Sequence, residues 1–244
     1  MNAKSAVVLR VENLSVSYGQ AEPAIDEVGF EVRAGEMVAI LGANGAGKTT
    51  MMQATAGLLK ARSGRIWLCD REITHAAAHK RALGGLGLAL EGHQVVDELT
   101  VEDNLRLVLH ARRRSLDRAS MSKRIEEACG MFPILGDRLN QLAGSLSGGQ
   151  QQMLVIGRLL VSDASVLMLD EPSLGLAPAV SEQVYARLAQ LRDAGRAIVL
   201  VEQNAALAAD VSDHLFLLRR GQLLKSGEGS RFSREDIQSA YLAS

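Results

Sequence analysis

The sequence predicts an α/β fold, a parallel sheet with a helical insert. Three observations carry that expectation. Short unbroken apolar runs at Met37–Leu41, Val166–Leu169 and Ile198–Val201 have the composition of strands covered on both faces. Between the last two, Ala179–Ala194 places Val180, Val184, Leu188 and Leu191 on one helical face, and Gly195 follows as a C-terminal stop. The stretch Leu99–Val161 holds no convincing strand and reads as helices.

Taken in order, Val7–Tyr18 and Ala24–Arg33 alternate apolar and polar residues, as half-exposed antiparallel strands do. The run Met37–Leu41 ends at Gly42, and a helix carrying Met51, Met52, Ala54, Thr55 and Leu58 follows, stopping near Gly57–Ser63. Strand signals recur at Ile66–Cys69 and Leu86–Leu90. The insert divides into helices at Val101–Arg113, Met121–Met131 and Gly149–Leu160. The expected organisation is one domain: an α/β core from 1–91 and 163–244, with a helical subdomain at 92–162.

Composition removes several function classes. Lys and Arg number 27 against 28 Asp and Glu, so the net charge is −1 and the basic excess of a nucleic-acid-binding surface is missing. With 47% hydrophobic and 23% charged residues the chain has the balance of a globular domain rather than a disordered one. Cys69 and Cys129 lie far apart, without ligand spacing, and read as reduced core thiols. No signal-peptide pattern stands at the N-terminus and no window approaches the roughly 18 apolar residues of a membrane span. The chain is expected not to cross a membrane by itself.

Gly42-Ala43-Asn44-Gly45-Ala46-Gly47-Lys48-Thr49-Thr50 fits the phosphate-loop pattern G-x-x-x-x-G-K-[ST], after a strand and before a helix. Glycines let successive N–H groups converge on phosphate oxygens, and the helix N-terminus adds its positive dipole end. Lys48 supplies a point charge for the β- and γ-phosphates, and Thr49 a hydroxyl for Mg²⁺. A chance match occurs about once per hundred chains of this size, which the strand–loop–helix context makes rarer still. Val166–Leu169 ends in Asp170-Glu171, where Asp170 can hold the Mg²⁺ shell. Glu171, one residue on, is expected to point the other way and to orient or deprotonate the attacking water. Leu146-Ser147-Gly148-Gly149-Gln150 opens a helix and forms a second anion site, with Ser147 also serving as its cap. Two such sites on one chain make sense if Ser147 and Gly149 reach the γ-phosphate held by another subunit.

These motifs resemble the ATP-binding subunits of ABC transporters from about Val7 to Leu242, and Leu146–Gln150 is that superfamily's signature string. More narrowly, Gln152-Met153-Leu154, Glu171–Pro178, Val201-Glu202-Gln203-Asn204 and Ser239-Ala240-Tyr241-Leu242 are similar to the smaller ATPase of branched-chain amino acid importers. The resemblance implies a RecA-like P-loop NTPase core with an antiparallel N-terminal β-subdomain. It also implies ATP and Mg²⁺ as ligands, a second ATPase subunit, two membrane permeases and, indirectly, a periplasmic solute-binding protein. The subunit would sit peripherally on the cytoplasmic face of the inner membrane. Tyr18 falls where the family stacks an aromatic on adenine, and Gln203 where most relatives have a histidine contacting the γ-phosphate. Glu91 stands where most have a glutamine linking that phosphate to the permease, and joins Thr49 and Asp170 as the implied metal-facing set.

Two departures stand out. Leu176 replaces the usual aspartate in the loop after Glu171. Glu91–Glu98 reads Glu-Gly-His-Gln-Val-Val-Asp-Glu, where the subfamily has Glu-Gly-Arg and then Val-Phe-Pro, in the stretch expected to receive the permease. A paralogous importer for urea, amides or other small acids is therefore an alternative, and a soluble non-transport ATPase a more distant one. His75 and His79, one helical turn apart, lack a third metal ligand. Arg112–Arg114 with Arg118 read as a solvated helix end rather than a lipid site.

Overall fold

In a computed structural model, residues 6–19, 21–92, 94–110 and 117–233 are described. Two sheets share the chain. β1 (Val7–Ser17) and β2 (Pro23–Arg33) pair antiparallel as their alternation predicts, and β4 (Ser63–Leu68) joins the other edge of β1 antiparallel. A two-residue β5 (Arg71–Glu72) completes the order β2-β1-β4-β5. The second sheet runs β10-β9-β3-β8-β7-β6, from β3 (Met37–Leu41), β6 (Leu86–Ala89), β7 (Val166–Asp170), β8 (Ala197–Glu202), β9 (His214–Arg219) and β10 (Gln222–Gly227). All its neighbours are parallel except the β9–β10 hairpin.

Period-two alternation divides the core into two layers. Met37, Ala39 and Leu41 of β3, with Leu167, Leu169, Ile198 and Leu200, face a helical layer. Val38 and Ile40, with Val166, Met168, Val199 and Val201, face the antiparallel sheet. The helical layer is α3 (Val101–His110), α4 (Arg118–Met131), α5 (Pro133–Gly136) and α6 (Gly148–Val161), all between β6 and β7 in the chain, together with α7 (Pro178–Asp193) and α8 (Ala205–Val211). The last residues of the predicted Val101–Arg113 helix, the Arg112–Arg114 cluster and the Ser239–Leu242 string lie outside the described residues.

Helix α1 (Lys48–Ala56) sits between the sheets with seven of its nine residues buried, which is why it shows no amphipathic stripe. It ends sooner than the sequence suggests. Gly57 takes the left-handed conformation (φ 82°), its N–H reaching Ala54 O at 3.1 Å and the Leu58 N–H reaching Gln53 O at 2.9 Å. Leu58 is therefore outside the helix and 55% exposed. Among the described residues no helix is long and apolar enough to cross a membrane.

The C-terminal end of α1 is held by an unusual clamp. Arg81, on α2 (Ala78–Leu83), is only 4% exposed. Its guanidinium donates to Ala54 O (2.9 Å), Thr55 O (2.8 Å), Thr74 O (2.7 Å) and Ala76 O (2.9 Å). A cation at the carbonyl end of a helix is favoured by the macrodipole, and four acceptors offset its desolvation. Arg81→Ala strands these carbonyls, so urea denaturation should show a loss of about 2–4 kcal/mol. A loss under about 1 kcal/mol would mean that water replaces the clamp.

Candidate functional site

Three strand tips meet at one edge of the main sheet. The registers Leu41↔Glu202 and Val201↔Asp170 align the ends of β3, β8 and β7. The segments leaving those tips border a cavity of about 660 Å³. Tyr18, Asn44, Gly45, Gly47, Lys48, Thr49, Thr50, Glu91, Glu171 and Gln203 line it, which brings together most of the residues the sequence singled out.

Close packing shapes the loop. Gly42 lies so near β9 that an added Cβ would stand 2.4 Å from Leu218 O. Gly47 has φ +101°, and a Cβ there would stand 2.6 Å from Ala24 O of β2. Buried Ala46 accepts the Gly221 N–H at 2.9 Å, so the β9–β10 turn props the loop from behind. Lys48 is 6% exposed, and its ammonium donates to Gly42 O (2.8 Å) and Ala43 O (3.2 Å) of its own loop. Burial pulls its pKa down, against the upward pull of Glu171, Asp170, Glu202 and Glu91. Over the rim, the exposed Tyr18 places its hydroxyl 3.1 Å from Thr50 Oγ1 and leaves its ring accessible.

The acids behave less simply than strand alternation predicts. Asp170 continues the Val166–Met168 face and accepts from Thr49 Oγ1 at 2.7 Å. Burial pushes its carboxyl above the usual range; the Thr49 hydrogen bond opposes this, while the charges of Glu171 and Glu91 reinforce it. Glu171, expected to point the other way from Asp170 and to reach the attacking water, lines the cavity. Its backbone turns left-handed (φ +48°), which ends the strand and swings the side chain into the cavity, 4.0 Å from Lys48 Nζ. Gln203 Nε2 donates at 2.7 Å both to Glu171 Oε1 and to Asn44 Oδ1, tying the acid to the loop.

Ser147, Gly148 and Gly149 are not part of this cavity. They open α6, where Gln150 Oε1 accepts the Ser147 N–H at 3.1 Å, half of a capping box. Gly149 abuts the start of α7 so tightly that a Cβ would meet Val180 Cγ1 at 2.7 Å. Ser147 and Gly149 border a separate cavity of about 530 Å³. His75 and His79 form no metal site with other ligands, since no group of three or more His, Cys, Asp or Glu among the described residues could hold one.

One group of polar residues escaped the sequence reading. Glu202, 3% exposed at the tip of β8, continues the Ile198–Leu200 face toward α7. There it accepts a hydrogen bond from the buried Tyr185 hydroxyl and lies 3.4 Å from Ser173 Oγ. Tyr185 Oη is 3.1 Å from the same Ser173 Oγ. An acid at alternation parity with a core face was the available signal.

The family model for ABC transporters matches residues 25–174, from β2 through the loop after Glu171. The chain belongs to the ABC transporter ATPase family. A branched-chain amino acid transport ATP-binding protein, BraG of Pseudomonas aeruginosa, is 36% identical over 96% of this chain and 99% of its own length. LivF of Archaeoglobus fulgidus, named a probable protein of the same kind, is 35% identical over 90% and 92%. Among solved structures, an ATP-binding cassette of an ABC transporter in its ADP conformation superposes with a TM-score of 0.82 at 25% identity, over 98% of this chain and 96% of that one. As an ABC ATPase the chain binds nucleotide.

Lys48 is the cation within the phosphate loop, and calorimetric titration of Lys48→Ala with Mg-ATP should show tight binding lost with the fold retained. Unchanged affinity would place the nucleotide elsewhere. Glu202 gives a pH test. Burial chiefly, and then the Glu171 charge, raise its carboxyl above the usual range, against hydrogen bonds from Tyr185, Ser173 and the Asn204 backbone. A raised native pKa means that stability is fully present below the unfolded value, about 4.3, and is lost as pH rises through the folded one. The thermal midpoint of Glu202→Gln relative to wild type should therefore climb as pH rises above the unfolded value of about 4.3. A difference flat in pH would show equal titration in both states.

Proposed function

We propose that this ATPase energises import of branched-chain amino acids or related solutes through membrane permease partners. The carrying observation is a half-site: Lys48, Glu171 and Gln203 share one cavity, while the signature residues Ser147 and Gly149 open on another. Two copies, or this chain and a related ATPase, would complete each other's sites in a sandwich. The 50%-exposed Leu174 at the cavity rim would be covered by that partner. The full-length likeness to the amino acid transport ATPases supports this choice of solute. Permeases in the membrane, and a solute-binding protein beyond it, would place the subunit on the membrane's cytoplasmic face.

The residues suggest a division of labour. Backbone N–H groups of 42–47 and the Lys48 ammonium hold the phosphates, and Tyr18 offers its ring to the base. Glu171 takes a proton from the water whose oxygen bonds the γ-phosphorus as the bond to the ADP oxygen breaks. Gln203 keeps that carboxylate aimed at the loop. Thr49 Oγ1 and Asp170 Oδ2, 2.7 Å apart, are hard oxygen donors, and the buried acid wants a counter-charge, so the pair fits Mg²⁺. Glu91 stands at the cavity edge as a further oxygen donor. Mg²⁺ bound there would neutralise phosphate charge.

The alternative importer class has its own support. Gln94, from the unusual Glu91–Glu98 segment, lines an outer groove of about 320 Å³ with Leu58, Ala82, Leu88 and Leu90. A permease seated there would meet contacts that differ from those of the subfamily. Co-purified with its permeases in vesicles, the ATPase should be stimulated by leucine, isoleucine or valine; stimulation only by urea, amides or other small acids would favour the paralogous reading.

Glu171→Gln keeps shape but removes the base, so ATP should drive it to a dimer in size-exclusion chromatography, alone or with a partner ATPase. Adding Ser147→Arg should abolish that dimer without weakening ATP binding to the monomer. A Glu171→Gln protein that stays monomeric with ATP under both conditions would defeat the sandwich.

A further inference from the structure

The tip of β8 sends two neighbouring polar side chains to opposite faces of the sheet. Gln203 goes to the nucleotide cavity and ties to Glu171. Glu202 goes to the α7 side and meets Ser173 and Tyr185. Both ties therefore join the same two segments, 171–173 and 202–203, one on each face of the sheet. A third bond, from the Glu171 N–H to Val201 O at 2.9 Å, lies between them.

Such reinforcement has a reason in the backbone. Glu171 stands at φ +48°, a conformation that disfavours a side chain with a Cβ and persists only where the surroundings hold it. The turn closes through the Leu174 N–H to Glu171 O at 3.1 Å, which fixes the turn's own shape but not its position against the sheet. Position comes from β8 on one side and from α7 on the other. Tyr185, 4% exposed, is the α7 residue that reaches the joint. Simple packing would be served at least as well by apolar residues here, since a buried acid and hydroxyls cost desolvation. A directional network instead fixes an angle.

We propose that Tyr185 and Glu202 are positioning residues for ATP hydrolysis, which, through Ser173, clamp the Glu171 turn to the tip of β8 and so hold the Glu171–Gln203 pair over the phosphate loop. The inference rests on the reading of Glu171 as the base. Neither residue touches nucleotide; each acts through the angle at which Glu171 is presented. Loss of the clamp lets the carboxylate wander by a fraction of an ångström while the loop that grips the phosphates is untouched.

Steady-state ATPase kinetics of Tyr185→Phe, which removes one oxygen and keeps the ring, tests this. kcat should fall about tenfold, less than the hundredfold a full ångström of misplacement costs. KM and the calorimetric affinity for ATP should stay within about twofold. Glu202→Gln retains an acceptor for the Tyr185 hydroxyl and should keep kcat within about threefold of wild type, whereas Glu202→Leu should match Tyr185→Phe. Ser173→Ala, in a turn rather than a core layer, serves if the others fold poorly, and it too should lower kcat alone. A Tyr185→Phe enzyme with wild-type kcat, or one whose ATP affinity falls in step with its rate, overturns the proposal. Glu171→Gln run alongside separates the two readings: if it still hydrolyses ATP the base assignment fails, and if it is dead while Tyr185→Phe is fully active only the positioning role fails.

Discussion

The chemistry of this chain depends on the parallel register of β3, β8 and β7. With Leu41 opposite Glu202 and Val201 opposite Asp170, a phosphate-binding loop, an amide and two acids leave the sheet at one level. Each strand is buried on both faces, so a slip of one residue would exchange its two core layers and turn each tip over. The same parity that packs Val38 and Ile40 against the antiparallel sheet puts Asp170 beside Thr49. Packing and catalytic geometry are thus set by one constraint rather than two.

What the sequence made legible was local in character. The phosphate loop is a contiguous pattern with a fixed mechanical meaning, and the fully apolar runs around it can be little else than covered strands. The helical insert was visible because Leu99–Val161 lacks a period of two. Legibility failed where the deciding term was tertiary. β9 and β10 form a hairpin whose outer strand alternates weakly, and nothing in His214–Gly227 announces that β9 will pair with β3. The Arg81 clamp needed knowledge of which carbonyls would be left at the end of α1. The path to Glu171 was hidden because a left-handed turn just past the strand, rather than strand alternation, sets where its side chain goes. Glu202 lies within Val201–Asn204, but its burial depends on α7, which approaches from a distant part of the chain.

Charge around the loop is arranged against intuition. An anion-binding cavity is bordered by Glu91 and Glu171, with Asp170 and Glu202 close behind, and Lys48 is bonded to its own loop carbonyls. On the proposed reading, phosphate would be held by Lys48 together with backbone N–H groups and the N-terminus of α1, which carry no titratable charge. Three of these carboxylates are each held by a hydrogen bond where they sit: Asp170 by a threonine hydroxyl, Glu171 by an amide and Glu202 by a tyrosine hydroxyl.

The two ends of α1 answer to different variables. At its N-terminus stand Lys48 and the Thr49–Asp170 pair, groups that carry titratable charge. At its C-terminus Arg81 grips only carbonyl oxygens, which neither titrate nor exchange partners with salt at their buried depth. A nine-residue helix fixed at the far end and wedged between two sheets has no freedom to slide. Any movement that nucleotide causes at Lys48 must be taken up by bending within residues 42–47, so the compliance of the site resides in its glycines and not in the helix behind them.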